Sequence, residues 1–194
     1  MNEPLDRNKT TMTHNVTSLA MIYLENRGFK PIETEVCIDG YGIADVASFV
    51  YPTPTEVKKL RLANQKRFGL TDTSCYQEIS FRYGPMLTAV VEVKTSRADF
   101  LKDKDKFKLH PAHLCYLAYQ KGILDKNELP LGWLGLEVNS TGTGLLRRHW
   151  NHPTVHPQHP GVIAEFLASL AIRADNRVRY SRNRLIMKMY RANS

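Results

Sequence analysis

The sequence has no apolar run long enough to span a bilayer, and it has few cysteines. A transmembrane helix needs about 20 consecutive apolar residues, and no segment of the 194 residues approaches that length. The first residues, MNEPLDRNKTTMTHN, are polar and include acids, which argues against a secretory signal peptide. The three cysteines, Cys37, Cys75 and Cys115, are far apart and form no CxxC pair, which argues against a disulfide framework or a cysteine zinc site. We therefore expect a cytoplasmic protein with reduced thiols and no membrane partner.

Acidic residues are scarce near the C-terminus. The composition, with 42% hydrophobic and 24% charged residues, is that of an ordinary globular protein. The formal net charge is +8, and residues 173–194 contain seven basic residues and one acid, Asp175, so this segment carries six of the eight charges. Such an excess of one sign favours a polyanionic partner.

The hydrophobic pattern predicts alternating strands and helices. Alternating apolar residues predict a strand from Lys30 to Ile38. Asp39-Gly40 then predicts a tight turn into a second strand from Ile43 to Val50. A third, mostly apolar strand runs from Leu87 to Lys94 into a helix that Ser96 caps. The other predicted elements are an amphipathic helix around residues 16–23, strands at 113–118 and 132–138, and a helix at 161–173. Residues 178–190 are predicted to form a second helix or a continuation of the one at 161–173.

This order of elements predicts an α/β fold with a central mixed β-sheet flanked by helices. The strands at 87–94 and 113–118 should be parallel, because a helix connects them. We expect one domain over residues 1–194, with an insertion at about 52–83 and a basic C-terminal helical segment at about 161–194. The insertion is a candidate interface of a homodimer, or a clamp on nucleic acid.

Two charged residues interrupt the third strand. Glu92 and Lys94 are two positions apart, so their side chains should lie on the same face of the sheet. Charged groups in a strand core are costly unless they are paired or bind a metal. Asp45, in the apolar run GIADVASFV, could supply a further ligand. A metal site is the favoured interpretation, and a buried ion pair without chemistry is the alternative.

These segments together resemble a known nuclease superfamily. GIADVASF followed by VVEVKTSRADF resembles the PD-(D/E)XK nucleases, and VEVKTSRADFLKD looks more narrowly like the MmcB-type family of DNA repair proteins. The resemblance covers roughly Glu35 to Tyr119, with Ala44 at a position where the superfamily often has proline. It implies a restriction-endonuclease-like core and a Mg²⁺-dependent (or Mn²⁺-dependent) deoxyribonuclease in DNA repair or processing.

The resemblance also implies roles for individual residues. Asp45 and Glu92 would bind the metal together with the backbone carbonyl of Val93, and Lys94 would orient or deprotonate the attacking water or stabilise negative charge. Glu35 is a candidate for a further metal contact, with a solvent-facing strand acid as an equal alternative. Glu25 is a weaker candidate and is better explained as a surface acid of the first helix.

Basic residues supply candidate phosphate contacts, with a solvated face as the alternative. Four of them follow Ser96 on a predicted basic helix and three lie near the C-terminus: Lys102, Lys104, Lys106, Lys108, Arg177, Arg182 and Arg184. The sequence does not separate DNA from RNA as substrate, and a non-catalytic DNA-binding module on the same fold is a further alternative.

A cluster of histidines invites the idea of a zinc site. A proline directly follows three of the four histidines and no cysteine is near, so the favoured interpretation is a surface loop. Its members are His149, His152, His156 and His159.

Overall fold

The computed structural model of the chain describes residues 7–51, 86–150, 158 and 160–192. Side chains are described in these ranges except at 7–10, 126, 145–150, 160, 161 and 180–192. The predicted insertion at about 52–83, with its suggested role as an interface or clamp, lies outside the described residues.

One mixed sheet contains the six strands of the described residues, arranged in chain order. The second strand is antiparallel to both the first and the third, the third to fifth are parallel, and the sixth is antiparallel to the fifth. The strands are β1 (Ile32–Ile38), β2 (Gly42–Val50), β3 (Leu87–Lys94), β4 (Leu114–Gln120), β5 (Trp133–Val138) and β6 (Leu145–Trp150). The predicted α/β fold with a mixed sheet is confirmed, as is the parallel pairing of the strands now labelled β3 and β4.

A tight hairpin joins β1 to β2. Gly40 and Gly42 have φ values of +68° and +104°, in the left-handed region that glycine adopts without steric penalty. The hairpin pairs Val36 with Ala44. It thereby places the part of β2 that carries Asp45 between β1 and β3.

Helices cover both faces of the sheet. On one face, α1 (Arg7–Glu25) packs Val16 and neighbouring apolar residues into a cluster that includes Val91 and Val93. On the other face lie α2 (Arg97–Lys102) and α3 (Pro160–Ala192), whose apolar side chains join a cluster that includes Val90. Since side chains alternate along a strand, Glu92 and Lys94 lie on the same face as Val90 and α2. Among the described residues, no helix combines the length and apolar character needed to cross a bilayer.

The predicted basic helix after Ser96 is shorter than expected. α2 ends at Lys102, and a separate 3₁₀ turn covers Lys106–Lys108. Phe107 in this turn is buried between Phe100 and Trp133, and the indole Nε1 of Trp133 donates a hydrogen bond to the carbonyl of Phe107 over 2.9 Å. This packing fixes the chain in a conformation that a continuous helix would not allow.

One further element differs from the prediction, and the structure decides one alternative that the sequence leaves open. β6 covers residues for which the sequence predicts no strand. Its segment, LLRRHW, lacks the alternation of apolar and polar residues by which strands are recognised. Of the two alternatives predicted for residues 178–190, continuation of the preceding helix is confirmed: α3 is one helix, and no glycine or proline interrupts the chain between residues 173 and 178.

Candidate active site

Asp45 and Glu92 lie on adjacent antiparallel strands. Val46 of β2 pairs with Val91 of β3, so Asp45 and Glu92 occupy the next position along the two strands. The backbone N–H of Val93 donates a hydrogen bond to Asp45 Oδ2 over 2.6 Å. The two carboxylates that the sequence singles out therefore lie on neighbouring strands, close enough for the charge of Asp45 to raise the pKa of Glu92.

Glu92 is deeply buried, with 1% of its surface exposed. Burial is the main cause that raises its pKa to about 7, and the negative charge of Asp45 adds to it, while Lys106 and Tyr41 act in the opposite direction. No described group meets Glu92 Oε1 with the geometry of a hydrogen bond. Burial likewise raises the pKa of Asp45. Burial thus disfavours the charged form of each carboxylate, and a bound metal cation would stabilise that charged form.

Lys94 is held as an ammonium by two aspartates. Its Nζ donates a hydrogen bond to Asp103 Oδ2 over 2.6 Å and lies 3.4 Å from Asp99 Oδ2. Burial alone would lower the pKa of Lys94, but the hydrogen bond to Asp103 and the charges of both aspartates outweigh it and raise the pKa. Asp99 also lies in the first turn of α2, where its N–H donates a hydrogen bond to the capping hydroxyl of Ser96, as expected. The raised pKa disfavours Lys94 as a base and favours it as a source of positive charge.

Lys106 does not face solvent as the predicted phosphate contact would. Its Nζ lies 2.9 Å from Glu92 Oε1 and donates a hydrogen bond to the carbonyl of Ile43 over 2.7 Å. The same ammonium lies 4.6 Å from the centre of the Tyr41 ring. The shortened α2 and the 3₁₀ turn direct this side chain towards Glu92, and its role as a phosphate contact stays a prediction.

The other predicted basic residues are exposed where their side chains are described. Lys102, Lys104 and Lys108 face solvent, and Lys108 pairs with Asp105 over 2.6 Å. Arg177 pairs with Glu33 over 2.9 Å. The side chains of Arg182 and Arg184 lie outside the described residues.

Glu35 is placed opposite Asp45 in the register of β1 and β2 but directs its carboxylate towards α3. Arg173 Nη2 lies 2.8 Å from Glu35 Oε2, and Arg173 Nε donates a hydrogen bond to the carbonyl of Thr34 over 2.8 Å. Glu35 has a φ of +53°, a left-handed conformation that costs a non-glycine residue about 1–3 kcal/mol. Its observed contact is therefore with α3, and its role in metal binding stays a prediction.

The weaker candidates lie apart from these carboxylates or outside the description. Glu25 is exposed on α1 and lies 3.9 Å from Lys30, as expected of a surface acid. His149 belongs to β6, where its backbone pairs with Gly135, and its side chain is not described. The side chains of His152, His156 and His159 also lie outside the described residues.

The two carboxylates fit a magnesium or manganese ion. In the described residues, no three side chains of histidine, cysteine, aspartate or glutamate form one metal-binding group. Mg²⁺ is commonly held by only one or two carboxylates, with water and substrate phosphates completing its octahedron. Glu92 Oε1 is buried without a contact of hydrogen-bond geometry, and the Lys106 ammonium lies 2.9 Å from it, so an ion would bind this oxygen beside or in place of that ammonium. Asp45 and Glu92 are therefore the residues that would hold the ion, and the participation of the Val93 carbonyl stays a prediction.

Sequence reasoning missed Asp103 and Lys106 as neighbours of this site. One signal for Asp103 was present, because Asp99 and Asp103 are four residues apart and such residues share a helix face. No equivalent signal exists for Lys106, whose position depends on the packing of Phe107.

Comparison with known proteins supports the fold alone. No protein-family model and no curated protein matches the chain. A solved structure described as "SPO1766 protein of unknown function from Silicibacter pomeroyi" is similar, with a TM-score of 0.55 and 17% sequence identity. The similarity covers 88% of this chain and 90% of that chain. The chain is thus similar in fold to a protein whose description names no activity.

Proposed function

We propose that this protein is a Mg²⁺-dependent or Mn²⁺-dependent nuclease that hydrolyses DNA phosphodiester bonds, with a restriction-endonuclease-like core and a role in DNA repair or processing. The observation that carries the proposal is the proximity of Asp45 on β2 to Glu92 on β3, with Lys94 on the same face of β3 as Glu92. We place the activity in the cytoplasm, where free thiols such as those of Cys37 and Cys115 stay reduced.

The proposed chemistry divides between the cation and the protein. A hard divalent cation would supply charge neutralisation at the phosphate and an activated water. Asp45 and Glu92 would hold it, and the hydrogen bond from Val93 N–H would keep the Asp45 carboxylate in a fixed orientation. These two strands are neighbours in a paired sheet, which keeps the carboxylates in place without help from a mobile loop.

Lys94 would act through its positive charge. Asp103 and Asp99 keep its ammonium protonated and fix its position. A fixed ammonium beside the reacting phosphate stabilises the negative charge that develops there. Of the three roles that the sequence leaves open for Lys94, removal of a proton from water is the one that its raised pKa supports least.

The test is cleavage of labelled DNA by the purified chain. Single-stranded, duplex and flap DNA, and RNA, are incubated with Mg²⁺ or Mn²⁺, and we expect cleavage of DNA that a chelator abolishes. Lys94→Ala, purified identically, should cleave about 100-fold or more slowly, as when a charge-stabilising group is removed. Lys30→Ala, which removes an exposed lysine two residues before β1, serves as the matched control and should retain activity.

Three outcomes would go against the proposal. Equal cleavage by the wild type and Lys94→Ala would remove the mechanism. Binding of DNA without any cleavage would favour the non-catalytic DNA-binding module. Cleavage of RNA alone would reassign the substrate.

A further inference from the structure

Lys106 differs from its neighbouring lysines in the direction of its side chain. The Lys106 side chain is 22% exposed, whereas that of Lys108, two residues later, is 77% exposed. The Lys106 ammonium contacts three separate groups: Glu92 Oε1 at 2.9 Å, the Ile43 carbonyl at 2.7 Å and the centre of the Tyr41 ring at 4.6 Å. These three contacts hold the ammonium between the β1–β2 hairpin and β3.

The Lys106 ammonium lies in the field of both candidate ligands. Its positive charge lowers the pKa of Asp45 as well as that of Glu92, against the raising effect of burial on each. A cation that binds both carboxylates must therefore share their space with this ammonium or replace it. Two positive ions in contact with one carboxylate repel each other, and the repulsion is strong in a buried site.

The backbone that carries Lys106 is held by packing, while its side chain is partly exposed to solvent. Phe107 is packed against Phe100 and Trp133, and its carbonyl accepts the indole hydrogen bond of Trp133. The four-carbon stem of a lysine can still withdraw its head by rotation, because lysine has several rotatable bonds. Displacement of the ammonium thus requires no change in the fold.

We propose that Lys106 is an internal counter-ion that competes with the divalent cation for Glu92 and withdraws when the cation binds. This inference rests on the proposed function, because it needs Asp45 and Glu92 to be the metal ligands. It gives Lys106 a role in setting how tightly the metal binds, which differs from the phosphate contact that the sequence predicts.

The test is a calorimetric titration of the full chain with Mn²⁺, without DNA. We expect Lys106→Met to bind one Mn²⁺ about tenfold more tightly than the wild type, because a competing charge is gone. Lys108→Met removes the same charge two residues away, at an exposed position, and should change the affinity by less than about twofold, since solvent screens exposed charges. Asp45→Asn should abolish this binding. Thermal melting supplies a second readout, and saturating Mn²⁺ should raise the melting temperature more in Lys106→Met than in the wild type.

The failures of the two proposals are distinguishable. If the wild type binds Mn²⁺ through Asp45 and Lys106→Met binds it equally or more weakly, the counter-ion role is overturned and the metal site stands. If neither protein binds Mn²⁺, or if Asp45→Asn binds it at the affinity of the wild type, both proposals fall. Should Lys106→Met not fold, Lys106→Gln takes its place, because its amide can still donate to the Ile43 carbonyl without carrying a charge.

Discussion

Glu92 and Glu33 are two buried strand glutamates in similar settings. Their exposed fractions are 1% and 2%. Each has a cation 2.9 Å from its Oε1, Lys106 for Glu92 and Arg177 for Glu33. In neither case does a described group meet that oxygen with the geometry of a hydrogen bond. Burial and one cationic partner therefore do not distinguish a candidate active site from a structural contact.

The difference lies in the neighbours of each pair. On β1, each acid has its own arginine from α3, since Glu35 pairs with Arg173 as Glu33 pairs with Arg177. This region is balanced in charge and ties α3 to the first strand of the sheet. At Glu92, a second carboxylate, Asp45, lies close enough for its charge to raise the pKa of Glu92. Four acids, Asp45, Glu92, Asp99 and Asp103, lie in the field of two ammonium groups, those of Lys94 and Lys106. A divalent cation would balance this excess of negative charge, and we infer function from it.

The largest expected effect is a difference in DNA cleavage between substitutions of Glu92 and of Glu33. Glu92→Gln should lower metal-dependent DNA cleavage by about 100-fold or more, because an amide is a poor substitute for a carboxylate ligand of a hard cation. Glu33→Gln should retain activity and lose only about 1 kcal/mol of stability, since Arg177 is largely exposed and can be solvated. Cleavage assays and urea unfolding of both variants measure the contrast. Equal losses of activity in the two variants would show that Glu92 and Glu33 do not differ in function.

A second, smaller effect concerns stability as a function of pH without metal. Burial raises the pKa of Glu92 from 4.5 to about 7. Between these values the folded state keeps a proton that the unfolded state has released, so the free energy of unfolding falls as pH rises. The pKa of Asp45 is raised as well, which acts in the same direction. We expect the wild type to lose up to about 3 kcal/mol relative to Glu92→Gln as pH rises from about 4.5 to about 7.

Urea unfolding of both proteins in chelator, at about pH 5 and about pH 8, checks this expectation. The difference in free energy between the wild type and Glu92→Gln should change with pH in the stated sense. A difference that is the same at both pH values would show that Glu92 titrates normally, and the comparison with Glu33 would lose its electrostatic basis.

The elements that carry the candidate site could be predicted because their signals are local. β3 is an apolar run with its two charges at i and i+2, and Asp39-Gly40 marks the hairpin that brings Asp45 beside it. The surroundings of the site depend on contacts between distant parts of the chain. Lys106 turns inward only because Phe107 packs against Trp133 on β5, a contact between residues far apart in sequence.

The contacts of two residues on β1 likewise could not be predicted from the sequence. Alternation predicts that Glu33 and Glu35 lie on one face, but their partners on α3 are about 140 residues later in the chain, beyond any periodic pattern. No sequence pattern predicts the left-handed φ of Glu35, because glutamate rarely adopts that backbone conformation. The sequence could therefore nominate Glu35 for the site but could not show that its carboxylate is engaged by Arg173.

The most direct test of the account is the position of a bound metal. Crystals of the protein soaked in Mn²⁺ would locate the ion by its anomalous scattering. We predict a peak between Asp45 and Glu92, at about 2.1 Å from a carboxylate oxygen of each, as expected for a small hard cation. A map with no peak between these two residues, or with Mn²⁺ bound only elsewhere in the chain, would contradict the claim that they form a metal centre.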